Sequence, residues 1–440
     1  MKNRQNLALA VATVTIGVVA GIGAVILSLF LEVIEKLLLN FHETASHPYA
    51  WPVSPQRRVL VLAGVGIVSA VSWWVIRNKL KPTVSVRDAV AGDAMPVGST
   101  ILHTFTQMLF VGAGGSVGRE LAPRELAAML SQWWQRQMRR YLHLELAASD
   151  RRLLTAAAAG AGFAGVYIAP ITGMLFSVEI LWKNVSRRSV IVSLAMSVIA
   201  TFVGSWLKGF NPYYLLAKTN FTPQNCLIVL VIGPVCGVLG ALFRRGIQRA
   251  GMQQAQRRTL LWQLPLVALL TGIIAVWFPQ VTGNGRALAQ MVFDNQQANL
   301  VPWLLLSAAI KALVTLLSLK AGAAGGTLTP SIAIGAAIGA TVGTLMSPLL
   351  PSVPVWQCAM LGAAALLAVS QQAPLMAMFM LFEVSHLNYS ALLPMGLGIV
   401  LAMVVANWFL PPKQPQVETG EAETAERLQA KVDRVLENEQ

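Results

Sequence analysis

The sequence feature that most constrains the fold is a run of 62 residues, at positions 321–382, that contains no Asp, Glu, Lys, Arg or His. A second uncharged run of 25 residues covers positions 7–31. Each run is longer than the roughly 20 apolar residues that a helix needs to cross a bilayer. Only 12% of the 440 residues are charged, whereas an ordinary soluble protein carries about 25%. We therefore expect an all-α polytopic membrane protein whose first membrane helix includes residues 7–31.

The net charge of +14 lies mainly in short clusters of Lys and Arg between apolar segments. Two such clusters are Arg136, Arg139 and Arg140, and Arg244, Arg245 and Arg249. Clusters of this kind are typical of the cytoplasmic loops of membrane proteins. A nucleic-acid partner would require a folded polar face that combines basic and aromatic residues, and the sequence offers no such domain. We expect a multi-pass protein of the cell (inner) membrane with no nucleic-acid partner.

One pattern occurs twice in the chain, 204 residues apart. It reads Ala169-Pro170, Met174 and Glu179 in the first half, and Ala373-Pro374, Met378 and Glu383 in the second. Several apolar segments are also too short, or too interrupted by Gly and Pro, to cross a bilayer. Repeated halves with interrupted helices are typical of transporters whose site lies between the repeats. We predict a first transmembrane repeat at residues 1–207, a second at 208–412, and a polar cytoplasmic tail at 413–440.

The densest polar feature of the apolar body is Gly115-Ser-Val-Gly118-Arg119-Glu120-Leu121-Ala-Pro123. A helix that begins after glycines leaves backbone N–H groups free, and its dipole favours an anion at that point. Glu120 lies there. Its carboxylate can occupy the place of an anion when ionised and can leave when protonated, so that a proton and an anion compete for one position. The alternative is an ordinary capping carboxylate paired with Arg119 or Arg124.

The second half contains a matching but uncharged helix start, Gly325-Gly326-Thr327-Leu328-Thr329-Pro330. Its N–H groups and the hydroxyls of Thr327 and Thr329 can coordinate a small anion without trapping it, as permeation requires. A plain helix cap with close helix packing is the alternative for this segment taken alone. The occurrence of both starts at corresponding places in the repeat favours the anion site.

Other polar residues in the apolar body have simpler interpretations. The symmetry of Glu179 and Glu383 favours hydrogen bonding to backbone over proton transport, and Lys311 is interpreted as a snorkelling or paired lysine. The three cysteines and five histidines have no metal-ligand spacing, and no nucleophile or phosphate-loop motif is present. We therefore expect no metal, no cofactor and no enzymatic activity.

The motifs Gly118-Arg119-Glu120 and Gly325-Gly326-Thr327-Leu328-Thr329-Pro330 resemble those of the CLC family of chloride channels and anion/proton antiporters. The likeness continues through both Ala-Pro segments and covers roughly residues 79–408. It implies a homodimer in the lipid bilayer, with one anion pathway per subunit and two inverted-topology repeats. It also implies that Glu120 is the gating and proton-carrying glutamate. The resemblance assigns anion binding to the backbone around Gly118, Arg119, Leu121, Thr327, Leu328 and Thr329.

Departures from the family pattern indicate a particular branch. The family segment with an anion-binding serine is matched here by Asn78-Lys79-Leu80-Lys81-Pro82, which places Lys79 on the anion pathway or at its inner mouth; Ala94-Met95-Pro96 is the alternative match. Ile180 replaces the inner proton-relay glutamate, and Trp408 lies in the stretch of a late tyrosine. These losses resemble the fluoride/proton antiporter branch, which implies fluoride export in exchange for protons. A chloride/proton antiporter or chloride channel is the nearest alternative, and a membrane enzyme or organic-substrate transporter is a more distant one.

Overall fold

The computed structural model describes residues 2–410 apart from residues 45, 49–51, 142, 144, 218 and 296, so the predicted tail at 413–440 lies outside the described residues. The described part contains 16 α-helices and no β-strand. The helices are α1 (Lys2–Ile34), α2 (Pro55–Asn78), α3 (Val86–Ala91), α4 (Val97–Gly112), α5 (Leu121–Tyr141), α6 (Ala148–Tyr167), α7 (Pro170–Leu175), α8 (Arg187–Lys208), α9 (Asn225–Met252), α10 (Arg257–Trp277), α11 (Arg286–Asp294), α12 (Val301–Lys320), α13 (Leu328–Met346), α14 (Val355–Gln371), α15 (Pro374–Val384) and α16 (Leu392–Phe409).

Eight of the described helical segments are long and apolar enough to cross a membrane. The first, Arg4–Leu39, contains the uncharged residues 7–31 and continues α1 through a π-helical turn, Glu35–Leu39. Three further apolar helices have only 10–17 residues: Pro170–Trp182, Val355–Gln371 and Pro374–Val384. The fold is an all-α polytopic membrane protein with helices that end inside the apolar body, as the sequence predicted.

The repeated Ala-Pro pair interrupts a helix in both halves. Before Pro170, Ile168 ends α6 with a φ of 55°, and before Pro374, Gln372 ends α14 with a φ of 56°. A left-handed residue cannot continue a right-handed α-helix, whereas proline is well suited to the first position of a new one. The chain therefore stops and restarts at equivalent points, which leaves two helix starts, those of α7 and α15, within the protein.

Contacts between the halves are reciprocal. The N–H of Gly118 donates to the carbonyl of Gly326 (2.7 Å), and the N–H of Gly326 donates to the carbonyl of Gly118 (2.8 Å). Glu179 accepts hydrogen bonds from the start of α15, and Glu383 accepts them from the start of α7. Such pairs require a pseudo-two-fold relation between the halves, consistent with the two inverted-topology repeats of the predicted fold. They also confirm the prediction that both carboxylates bond backbone.

Close packing of α13 against α14 forms much of the core in the second half. A Cβ on Gly339 would collide with the carbonyl of Cys358, and a Cβ on Gly362 would collide with that of Gly335. Small residues let helix backbones approach closely within a membrane, where dispersion contacts replace the hydrophobic driving force. The glycines within α13 and α14 are therefore explained by helix packing.

The packing of α1 defines two faces of the molecule. Gly17 and Gly21 contact Ile199 and Val203 of α8, so these two helices run in parallel. The ring N–H of Trp134 in α5 donates to Thr15 of α1 (2.9 Å), and Gly23 of α1 faces Leu126 and Leu130 of α5, so α5 runs antiparallel to α1. The starts of α1 and α8 and the end of α5 therefore share one face, which we call the basic face. It holds a cavity of about 540 Å³ whose lining includes Arg136, Arg139, Arg151 and Arg152. The positive-inside rule predicts that the basic face is cytoplasmic, and we call the opposite face the outer face.

Candidate functional site

The side chain of Glu120 lies between the starts of α5 and α13. The Gly118–Gly326 bridge holds these two helix starts together, and Glu120 is fully buried beside it. One carboxylate oxygen, Oε1, accepts a hydrogen bond of 2.5 Å from the N–H of Leu328, the first residue of α13. A negative charge at this point is favoured both by the free N–H group and by the helix dipole. The carboxylate of the first repeat thus lies at a helix start of the second repeat.

The second oxygen of the same carboxylate has a different environment. Oε2 of Glu120 is buried and has no hydrogen-bond partner among the described residues. Buried polar atoms are nearly always satisfied, and an unsatisfied one costs about 1–3 kcal/mol. This oxygen is therefore the point of the site where a proton or a water molecule would be most strongly stabilised.

Glycine is required on both sides of this carboxylate. A Cβ built on Gly118 or on Gly326 would collide with the carboxylate of Glu120. The two glycines therefore do more than end one helix and begin the next, because their missing side chains create the space that Glu120 fills.

Within the described residues, neither Arg119 nor Arg124 forms an ion pair with the carboxylate of Glu120. Nε of Arg124 donates to the backbone carbonyl of Glu120 (2.6 Å), and its guanidinium lies 4.7 Å from the centre of the Phe176 ring. Arg119 turns away toward Glu43, at 3.4 Å. The alternative of a capping carboxylate paired with Arg119 or Arg124 is therefore wrong for this conformation.

The hydroxyls of the second helix start already have protein partners. Oγ1 of Thr327 accepts a hydrogen bond from Gln371 (3.1 Å), and the hydroxyl of Thr329 lies 3.4 Å from that of Tyr167. A hydroxyl that accepts one hydrogen bond keeps its own proton to donate, so the Thr327 hydroxyl can still donate to an anion alongside the backbone N–H groups. Tyr167, at the end of α6, is a residue that the sequence analysis missed. The only signal was its position just before the Ala169-Pro170 break.

Lys311 does not snorkel, so that interpretation was wrong; it is a paired lysine, but its hydrogen-bond partners are a hydroxyl and two carbonyls. It is fully buried, and its Nζ donates to Oγ of Ser116 (2.9 Å) and to the carbonyls of Val281 (3.0 Å) and Gly283 (2.6 Å). The lysine thereby joins α12 to the glycine-rich segment before Glu120. The Lys311 amine also interacts electrostatically with Glu120.

Lys79 and Leu121 differ in their relation to this site. Leu121 is the first residue of α5 and follows Glu120 directly. Lys79 is exposed at the end of α2, with its ammonium 5.8 Å from the centre of the Trp74 ring. No described contact joins Lys79 to Glu120. Since the end of α2 carries one of the basic clusters, its position fits the inner mouth, which the sequence analysis left open.

A second charged cluster lies on the outer side of Glu120. Glu43 contacts both Arg119 and Arg286, at 3.4 Å and 2.7 Å from the same oxygen, Oε1. The hydroxyl of Tyr213 accepts from Arg119 (3.0 Å) and Asn284 (2.9 Å). Apart from Arg119, none of these residues was predicted, because they come from separate loops and form no local motif.

The profile of the family described as "Voltage gated chloride channel" matches residues 63–407. This chain belongs to the voltage-gated chloride channel (CLC) family. One curated CLC relative is the "Putative chloride channel protein ClcB-like" of Ralstonia nicotianae, which is 31% identical over 79% of this chain and 80% of its own length. The "Voltage-gated ClC-type chloride channel ClcB" of Salmonella dublin is 28% identical over 89% of this chain and 93% of its own.

Solved structures share the CLC fold over nearly the whole chain. The "X-ray crystal structure of a slow cyanobacterial Cl-/H+ antiporter" has a TM-score of 0.78 at 20% identity and covers 96% of this chain and 98% of that one. The "Crystal structure of a CLC-type fluoride/proton antiporter" has a TM-score of 0.68 at 22% identity, with coverages of 92% and 96%. At these identities the likeness establishes the fold alone.

Proposed function

We propose that this CLC protein is an anion transporter in which Glu120 alternately occupies and vacates an anion site at the start of α13. The observation that carries the proposal is the 2.5 Å hydrogen bond from the N–H of Leu328 to Oε1 of Glu120. A halide that replaces the carboxylate would accept the same N–H and lie in the same dipole field. The carboxylate and the halide therefore compete for one place.

Protonation of Glu120 supplies the coupling in this proposal. A proton on the free oxygen, Oε2, neutralises the charge that the start of α13 stabilises, so the side chain leaves and the halide enters. When the proton departs to the other side, the ionised carboxylate returns and displaces the halide. Each cycle then moves the proton and the halide in opposite directions through one position.

For the halide, we propose chloride first and keep fluoride as the second candidate. Support for chloride comes from the curated relatives, whose names describe chloride channels. The comparisons do not support a fluoride branch in particular. Fluoride remains a candidate because Ile180 cannot accept a proton and Asn78-Lys79-Leu80 lacks the family serine. If chloride is exchanged for protons, the inner proton route must use a group other than residue 180.

Oligomeric state and membrane orientation are a further part of the proposed function. We propose a homodimer in the inner membrane, with the basic face in the cytoplasm, acting as a transporter and not as an enzyme. The CLC fold and the eight apolar spans support this placement. Chemical crosslinking in native membranes tests the dimer, since a dimeric transporter gives one doubled band at low protein density.

The transport proposal is tested with purified protein in liposomes, where chloride and fluoride electrodes record anion efflux and a pH electrode records proton uptake. Wild-type protein is expected to release chloride with coupled proton uptake. Glu120→Gln keeps the size of the side chain but carries no proton, so proton uptake is expected to vanish while anion efflux persists. If fluoride efflux exceeds chloride efflux, fluoride replaces chloride as the proposed substrate.

Glu125→Gln is the matched control. Glu125 is also a buried carboxylate of α5, but it accepts from Gln107 (2.6 Å) and lies away from the start of α13. Its substitution is expected to leave proton coupling in place. Unchanged proton uptake in Glu120→Gln would overturn the gating role of Glu120, and the absence of any anion efflux from wild-type protein would overturn the transport function.

A further inference from the structure

The cluster of Glu43, Arg119, Arg286, Tyr213 and Asn284 is organised around two guanidinium groups, which we call the outer arginine pair. Arg119 and Arg286 are each only 6% exposed, and both approach Oε1 of Glu43. Arg286 also donates twice to the carbonyl of Tyr213, at 3.0 Å and 2.6 Å, and lies 3.9 Å from the centre of its ring. Two buried guanidinium groups fixed this closely attract an anion strongly.

The outer arginine pair has unused capacity for an anion. Nε of Arg119 is buried and has no hydrogen-bond partner among the described residues. A single carboxylate oxygen serves both guanidinium groups, and the other donors of Arg286 bond the carbonyl of Tyr213, so the free donor is that of Arg119. The two positive charges therefore exceed the charge and the acceptors that Glu43 supplies.

Other charged groups face the same cluster from the neighbouring elements. Glu35, in the turn after α1, accepts from the N–H of Glu43 (3.2 Å), and Lys208, at the end of α8, interacts electrostatically with Glu43. Glu32 interacts with Glu35 and Lys208 from one turn earlier in α1. Burial raises the pKa of the Glu43 carboxyl, but Arg119 and Arg286 outweigh burial and hold this pKa below its usual value. Glu43 is therefore ionised at neutral pH.

A small cavity lies beside Glu43 and Arg119. Its volume is about 40 Å³, enough for one or two water-sized occupants, and its lining also includes Gly114 and Asn284. A small anion therefore has room next to the guanidinium group of Arg119, the residue that directly precedes Glu120 in the chain.

We propose that Arg119 and Arg286 form a second binding site, for a small monovalent anion, and that the carboxylate of Glu43 occupies it as a tethered anion in this conformation. The site would take the halide of the proposed transport function, and the inference rests on that function for the identity of the ion. A halide enters when Glu43 moves aside, and Glu43 returns when the halide departs. Two carboxylates of the chain, Glu43 and Glu120, thus each hold an anion position in this conformation.

The test is the binding of bromide to the Glu43→Ala variant. Crystals of the full-length variant grown in sodium bromide are expected to show one anomalous peak between the guanidinium groups of Arg119 and Arg286. Wild-type crystals under the same conditions are expected to lack it. The double variant Glu43→Ala/Arg286→Gln is expected to lose the peak, because one of the two guanidinium groups is gone.

Glu32→Ala is the matched control, because Glu32 is a nearby carboxylate of α1 that contacts His42 and not the arginine pair. It is expected to show no bromide at this position. If Glu43→Ala does not give a monodisperse protein, Glu43→Gln is used, since it keeps the side-chain volume without the charge. A folded variant without bromide between the two arginines overturns the proposal.

The same experiment is independent of transport, so the two proposals can fail separately. Bromide bound in Glu43→Ala, together with no anion efflux from wild-type liposomes, would keep the site and reject the transport function. Efflux without bound bromide would do the reverse. In a transporting protein, Glu43→Ala is expected to raise the rate of halide uptake from the outer face at low halide concentration.

Discussion

At the scale of single residues, the candidate site depends on side chains that are missing as well as on those that are present. Gly118 and Gly326 leave the space that the Glu120 carboxylate fills, and the N–H of Leu328 holds that carboxylate in place. The site is thus a carboxylate enclosed by backbone, with the basic side chains of Lys311 and Arg119 in the neighbouring segments.

Gly326→Ala is expected to displace the Glu120 carboxylate from the start of α13. The loss of a charge-assisted hydrogen bond, worth about 1.5–3 kcal/mol, corresponds to a decrease of roughly tenfold or more in proton-coupled flux. The liposome assay measures it. Gly64→Ala is the control, since a Cβ there would have no neighbour within 4 Å. Equal flux in Gly326→Ala and wild type would contradict the assigned geometry.

Glu43→Gln is expected to lower stability in a pH-dependent way, since it leaves two buried guanidinium groups without their counter-charge. The cost at pH 7 is about 3 kcal/mol. The folded-state pKa of Glu43 is lowered, so its contribution is present in full above the ordinary glutamate pKa of about 4.3 and is lost as the pH falls through the lowered folded-state pKa. Thermal unfolding in detergent is therefore expected to differ from wild type at pH 7, and the difference is expected to shrink as the pH falls below the ordinary glutamate pKa. A difference that is independent of pH would rule out the charge as its cause.

At the scale of helices, each half of the chain caps a helix start in the other half. Glu383 accepts from the N–H groups of Ile171 (2.8 Å) and Thr172 (2.7 Å) and from the hydroxyl of Thr172 (2.5 Å). These bonds satisfy the start of α7, which would otherwise be exposed to an apolar environment. The Ala-Pro breaks are therefore stable only because the repeats come as a pair.

Glu383→Ala is expected to remove the cap of α7 and to lower the free energy of unfolding by about 2–3 kcal/mol. The measurement is the midpoint of thermal unfolding in detergent. Glu383→Gln still offers one acceptor oxygen and should recover part of the loss. Equal midpoints for wild type and Glu383→Ala would show that the cap contributes nothing to stability.

At the scale of the whole molecule, the parallel packing of α1 and α8 gathers the basic clusters on one face and the outer arginine pair on the other. This arrangement predicts a sidedness that labelling can test. In a Cys226→Ala background, Asn40→Cys is expected to react with a membrane-impermeant maleimide from outside intact cells, and Arg140→Cys is expected to react only after lysis. Both positions are exposed in the structure. The opposite labelling pattern would invert the assignment of the two faces.

Much of the architecture follows from the sequence alone because it depends on local chemistry. Uncharged runs longer than about 20 residues predict membrane helices, Pro170 and Pro374 favour helix breaks, and the glycines before Glu120 favour a helix start there. Lys311 was misinterpreted because its partners, two carbonyls and a hydroxyl, come from distant segments. The positions of Lys79 and Tyr167 relative to the site were likewise not readable from spacing.

The sequence by itself determined that this protein is an all-helical membrane protein of two related halves with one carboxylate at a helix start. Only the tertiary structure decided where that carboxylate binds, since the N–H of Leu328 lies 208 residues from Glu120 in the chain. The contact of Glu43 with Arg119 and Arg286 likewise depends on the tertiary structure. Periodicity and helix-breaking residues act over a few positions, whereas ion pairs and helix-start bonds depend on how distant segments pack. The sites therefore emerge from the fold, and the fold from the pattern of apolar residues.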